Sequence, residues 1–115
     1  MDKDRPIEEV CALLKSLLKD DTNQIIFCTG RVEDYREKTI EQIKKILKGS
    51  KNIDIDSCLY MRPQGDFRKD FMVKRDLYKR MIFDGFNPVI VFEDKITVVE
   101  MWKEMGLKCL RVTGA

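Results

Sequence analysis

Histidine is absent from the 115-residue chain. That absence excludes Ser-His and Cys-His nucleophilic pairs, histidine general bases and every histidine-containing zinc site. Any catalysis must therefore run on carboxylates, Lys, Arg, Thr, Cys or a metal ion. The four cysteines, Cys11, Cys28, Cys58 and Cys109, include no C-x-x-C pair that could chelate zinc or cycle a disulfide. Their apolar neighbours give them the setting of small buried core residues. No apolar run approaches the ~18–20 residues that a membrane span needs, and Met1-Asp2-Lys3-Asp4 has no hydrophobic stretch behind it to make a signal peptide. A cytoplasmic address is the resulting expectation. A G-x-x-x-x-G-K-[ST] stretch is also missing, so the chain carries no kinase P-loop.

What is present suits one soluble domain: 43% hydrophobic residues can supply a single core and 37% charged residues can cover it. The net charge is only +2, which by itself advertises no anionic partner. Its distribution is uneven. Arg62, Arg68, Lys69, Lys74, Arg75, Lys79 and Arg80 stand against Asp66, Asp70 and Asp76 within residues 62–80. Such a stretch is either the solvated face of a helix or a patch that meets phosphate.

Apolar spacing alternates between helix and strand. Ile7, Val10, Cys11, Leu14, Leu17 and Leu18 form one helical face, with Pro6 and Glu8-Glu9 suited to its first turn. Asp20 to Asn23 reads as a turn, and Gln24 to Cys28 as a strand buried on both faces. A second helix is expected over 32–48, with Tyr35, Ile40, Ile43 and Leu47 inward and Gly49 as its stop. Strand Cys58–Met61, a Pro63–Asp66 turn and a helix carrying Val73, Leu77 and Met81 follow. Then come a strand Val89–Phe92 ending in Glu93-Asp94, a helix with Val98, Met101, Trp102 and Met105 stopped by Gly106, and a strand Cys109–Val112. Alternation with short connections predicts an α/β fold, a parallel sheet of about four strands flanked by helices.

In such sheets ligands bind at the carboxyl ends of the strands. The rule selects Thr29-Gly30-Arg31, Arg62-Pro63-Gln64-Gly65, Glu93-Asp94 and Thr113-Gly114. An acidic pair at that rim either holds Mg²⁺, which takes one or two carboxylates and keeps several waters, or only caps the next helix.

Together with Arg62-Pro63-Gln64-Gly65-Asp66-Phe67-Arg68-Lys69-Asp70, Lys74 and Val98-Val99-Glu100-Met101-Trp102, these residues resemble the 3′-phosphatase domain of bacteriophage-type polynucleotide kinase, within the haloacid dehalogenase-like (HAD-like) superfamily. The resemblance runs from about Ile7 to Val112. It implies a Rossmann-like fold and a Mg²⁺-dependent hydrolysis of phosphate monoesters at nucleic-acid 3′ ends, a repair chemistry. By position it gives Thr29, Gly30, Arg31, Arg62 and Arg68 to the phosphate and Lys74 to charge on the transferred phosphoryl group, with Asp70 orienting Lys74 or metal-bound water. Glu93 and Asp94 would hold Mg²⁺, although the family usually has aspartate where Glu93 stands.

The resemblance also implies a hydrophobic strand entering D-x-D-x-T, whose first Asp attacks phosphorus and whose second is general acid and base. Asp2-Lys3-Asp4 has the spacing but not the preceding strand or the threonine. The expectation is one domain over 1–115, N-terminally incomplete, with the central nucleophile strand missing and supplied by a partner or an upstream segment. Three readings stay open: an enzyme part completed by that segment, a non-catalytic module that binds phosphate or nucleic-acid ends, and an intact phosphatase using Asp2 and Asp4.

Overall fold

A computed structural model describes residues 8–50 and 52–112. Pro6, the Asp2/Asp4 pair and the Thr113-Gly114 strand end lie outside them. The order is α1 (Glu8–Leu18), β1 (Phe27–Val32), a 3-10 turn (Glu33–Tyr35), α2 (Arg36–Ile46), β2 (Leu59–Arg62), α3 (Asp70–Phe83), β3 (Ile90–Glu93), α4 (Ile96–Glu104) and β4 (Lys108–Arg111).

The expected alternation of helices and parallel strands is present, but the strands do not form one sheet. Among the described residues they make two parallel pairs, β1 with β2 and β3 with β4. β1 therefore starts later than the apolar run suggests: Phe27 is the first residue opposite β2, facing Leu59, and Ile25 and Ile26 only lead in. Its residues are half-buried rather than sealed on both sides, and among the described residues one of its edges has no strand neighbour. β2, β3 and β4 are likewise offset by one residue from the apolar runs, since pairing rather than hydrophobicity sets strand ends. In α2 the first turn is 3-10, and Tyr35 faces water at 53% exposure while Ile43 and Leu47 are buried. Gly49 and Gly106 end their helices with φ of +89° and +88°.

Period-2 alternation divides the first sheet between two layers. Phe27, Leu59 and Met61 pack with Leu18 of α1 and with Ile43 and Leu47 on the α2 side. Cys28 and Tyr60 face Val73, Leu77 and Met81 of α3. In the second sheet Val91 and Cys109 pack under Val98, Val99, Met101 and Trp102 of α4. The opposite face, with Ile90, Phe92 and Leu110, is exposed.

Between β1 and β3 lies a slot of about 210 Å³. Ile26 and Cys28 line one wall, Ile90 and Val91 the other, and Tyr78, Met81 and Trp102 also line it. Burial there pushes the Cys28 thiol up to about 12, partly offset by the nearby Lys74 ammonium.

Candidate active site

α3 begins at the carboxyl ends of β1 and β2. Arg62, the last residue of β2, joins them: its Nε donates to the Gly30 carbonyl at 2.8 Å and its Nη1 to the carbonyls of Asp66 and Arg68 at 3.0 and 2.6 Å. Its Nη2 forms a short ion pair with Asp70 Oδ1. One guanidinium thus ties strand end, loop and helix start together. The other Asp70 oxygen accepts from Lys95 Nζ at 2.8 Å. The Lys95 ammonium, with Arg62 and Lys74 contributing, holds the Asp70 carboxyl below the usual carboxylate range.

Gly30 is required by contact rather than by dihedral angle. A Cβ there would stand 2.8 Å from Asp70 Oδ1, so the carboxylate rests where any larger side chain would begin. Strand pairing is interrupted at this point, between Thr29, opposite Met61, and Val32, opposite Arg62. The irregular stretch turns Arg31 back over Thr29, whose Oγ1 accepts from the Arg31 N–H at 3.2 Å.

One turn into α3, Lys74 projects toward β3. Its Nζ meets Glu93 Oε1 at 3.0 Å, and both side chains are nearly sealed from water, at 11% and 7% exposure. Trp102 Nε1 donates to the same oxygen at 3.3 Å, while Glu93 Oε2 accepts from the Asp94 and Lys95 backbone amides at 3.2 and 3.4 Å. Such a pair holds its geometry because every lone pair in use has a donor, which offsets the cost of burying charge.

Lys74, Asp70, Gly30, Arg62 and Glu93 are therefore linked at the carboxyl ends of β1, β2 and β3, with Thr29 beside them. Arg31 and Arg68 extend elsewhere. Arg31 Nη1 donates to Thr39 Oγ1 and Gln42 Oε1 of α2, at 3.2 and 2.6 Å. Arg68 pairs with Asp66 and Asp76 at 2.8 and 2.7 Å. Arg62 spends its donors on protein acceptors.

A divalent cation needs oxygens that are not already taken. Both Glu93 oxygens receive protein donors, so Glu93 does not fit as a direct ligand in this arrangement. Asp94 does fit: it is exposed at the rim, and among the described residues its carboxylate has no hydrogen-bond or ion-pair partner. A hard ion such as Mg²⁺ accepts a single protein carboxylate, keeping water and substrate oxygens around it. A second D-x-D, Asp54-Ile55-Asp56, lies at the opposite, amino end of β2, where Asp56 pairs with Arg36 at 2.8 Å.

Two participants are not evident from sequence spacing. Lys95 follows the acidic pair yet reaches across to α3, and Trp102 reads as core but spends its indole N–H on Glu93. Only the position of Lys95 beside Glu93-Asp94 could have flagged it.

Residues 1–115 match the family described as the polynucleotide kinase PNKP phosphatase domain. A curated relative from Autographa californica nuclear polyhedrosis virus, named "Putative bifunctional polynucleotide kinase/RNA ligase", is 33% identical over 84 residues. The match takes in 72% of this chain and 11% of the relative, so the chain spans a small part of that protein's length.

Proposed function

Because the chain belongs to the polynucleotide kinase phosphatase domain family, we propose that it supplies the phosphate-handling rim of a Mg²⁺-dependent phosphatase acting on nucleic-acid 3′ ends. The observation that carries this reading is the buried Lys74–Glu93 pair at the carboxyl ends of the strands, with Asp70 one turn earlier on α3 and the Glu93-bound Trp102 also lining the β1–β3 slot. An ammonium fixed there is ready to neutralise charge that builds on a transferred phosphoryl group. In this reading the Thr29 hydroxyl and the backbone around Gly30 would receive phosphate oxygens. Asp94 would hold Mg²⁺, which when bound adds further neutralisation of the phosphate.

The covalent step needs an attacking carboxylate, and in this reading it enters with an apolar strand laid into the slot. The strand would pair its main chain with the open edges of β1 and β3, as in β-strand addition. A carboxylate oxygen at its end would bond to phosphorus while the phosphorus–O3′ bond breaks. A second carboxylic acid would protonate the leaving O3′, and water would then hydrolyse the acyl phosphate.

The test is Mg²⁺-dependent phosphate release from a 3′-phosphorylated oligonucleotide. It compares this chain with a fusion adding a hydrophobic strand that ends in D-x-D-G-T. The chain alone is expected to show no appreciable turnover, and the fusion to gain turnover and lose it with Lys74→Ala. A fusion that melts cooperatively yet stays inactive overturns the reading and favours a non-catalytic phosphate or nucleic-acid-end binding module. Turnover by the unfused chain that vanishes with Asp2→Asn also overturns it, placing the nucleophile at Asp2.

A further inference from the structure

The loop from β2 to α3 carries the most exposed large hydrophobic side chain among the described residues, Phe67, at 94%. Phenylalanine left in water forgoes the burial that normally makes it stabilising. Here the loop does not need its ring. Arg62 Nη1 holds the carbonyls on either side of it, those of Asp66 and Arg68. The Arg68 N–H and Nε both donate to Asp66 Oδ1, at 3.1 and 3.0 Å, and Asp66 N–H closes the turn on the Pro63 carbonyl at 3.2 Å. The backbone that presents Phe67 is thus fixed by polar contacts alone, and the ring stands free on a rigid mount.

That mount is part of the candidate site. The guanidinium that grips both neighbours of Phe67 also contacts Gly30 and Asp70, so the ring stands one residue from a hub of the rim. Lys69, exposed beside it, has no ion pair among the described residues. A rigid exposed aromatic next to a free cation is the pairing with which proteins hold single-stranded nucleic acid: the ring stacks on a base and the cation meets the backbone.

We propose that Phe67 is a stacking platform for a nucleobase at the 3′ end of a single strand, making the site selective for nucleic-acid ends over small phosphate monoesters. The inference rests on the rim being the phosphate site described above. A built-in control exists in Phe83, equally bare at 90% but at the far end of α3, a helix about 20 Å long.

The experiment is fluorescence anisotropy of a 5′-labelled, 3′-phosphorylated ten-nucleotide single strand at low salt. It uses the wild-type chain, Phe67→Ala, Phe67→Trp and Phe83→Ala. Phe67→Ala is expected to weaken binding by about 5- to 150-fold, the range for loss of one base–aromatic stack. Phe67→Trp should retain affinity and Phe83→Ala should stay within about twofold of wild type. Making the last two nucleotides abasic should erase the difference between wild type and Phe67→Ala. Wild-type-like binding by Phe67→Ala, or no measurable binding by any variant, overturns the proposal. If Phe67→Ala weakens binding but removing the 3′ phosphate changes nothing, stacking stands and the phosphate-end reading falls.

Discussion

Replacing Lys74 by Met should expose how much of the fold depends on the site. The substitution keeps most of the apolar stem and removes the ammonium, leaving the Glu93 carboxyl, at 7% exposure, without its cationic partner. Removing one partner of a buried pair typically costs about 3–5 kcal/mol. Glu93 would keep the Trp102 indole and two backbone amides, so the low end, about 3 kcal/mol, is expected. Glu93→Gln should also destabilise, by leaving the Lys74 ammonium facing a neutral amide. The double variant Lys74→Met/Glu93→Gln removes both charges together and should recover to within about 1 kcal/mol of wild type, since a neutral replacement of similar volume is often tolerated. Trp102 is the sole tryptophan and touches Glu93, so urea unfolding followed by its fluorescence reports on the site directly. With a slope of about 1–3 kcal/mol per molar urea, Lys74→Met should lower the midpoint by more than about 1 M. Single losses below about 1 kcal/mol, or losses that simply add in the double variant, would refute the buried, coupled pair.

Further perturbations probe the rest of the rim. Asp70 is held below the ordinary carboxylate range chiefly by Lys95, so its contribution is present above the unfolded-state value near pH ~3.9 and lost as pH falls through the depressed folded value. Urea midpoints between pH 2 and 6 should therefore drop on the acid side, with a shallower drop in Lys95→Met; identical profiles would contradict it. Gly30→Ala should destabilise by roughly 1–3 kcal/mol through its clash with Asp70, yet be close to neutral in an Asp70→Ala background, and a cycle by thermal melting that shows additivity would count against the contact. At pH 8 the Cys28 thiol, pushed up to about 12 by burial, should react with iodoacetamide at least about tenfold slower than an unperturbed thiol until the chain is unfolded; peptide mapping that finds it labelled at an ordinary rate would place it outside the apolar slot.

The helix faces were the most legible part of the fold. Val73, Leu77 and Met81 recur at four-residue steps and are buried, as are Val98, Met101 and Trp102. Such faces are local properties of the chain, so spacing alone reveals them. Strand limits and sheet membership were not legible, because they depend on partners far away in sequence. The Gln24–Cys28 run is apolar, but Leu59 decides that pairing begins at Phe27. At the site, the strand-end rule and the family motif located the rim, since topology fixes which ends meet. They could not assign the donors. Arg31 and Arg68 reach Thr39, Gln42, Asp66 and Asp76 because a long guanidinium takes whichever acceptors its rotamer meets, a choice invisible to spacing.

A divided sheet would be expected to leave a site on three strand ends loosely held, yet α3 works against that. Its Val73, Leu77 and Met81 pack on the first sheet, through Tyr60, Ile26 and Cys28. Its Phe71 and Tyr78 pack into the cluster formed by α4 and the second sheet, where Tyr78 meets Trp102 edge-on at 5.8 Å between ring centroids. Both hydrophobic clusters therefore close on one helix. Asp70 and Lys74 sit one turn apart at its start, so a single rigid element carries the contacts to Gly30 and Arg62 on one side and to Glu93 and Lys95 on the other. The slot can stay open between β1 and β3 while the spacing of the charged groups is set by helix geometry, about 6 Å between the α-carbons of Asp70 and Lys74. Polar organisation of the rim thus does not wait on a strand in the slot, and in the proposed function what such a strand would add is a reacting group.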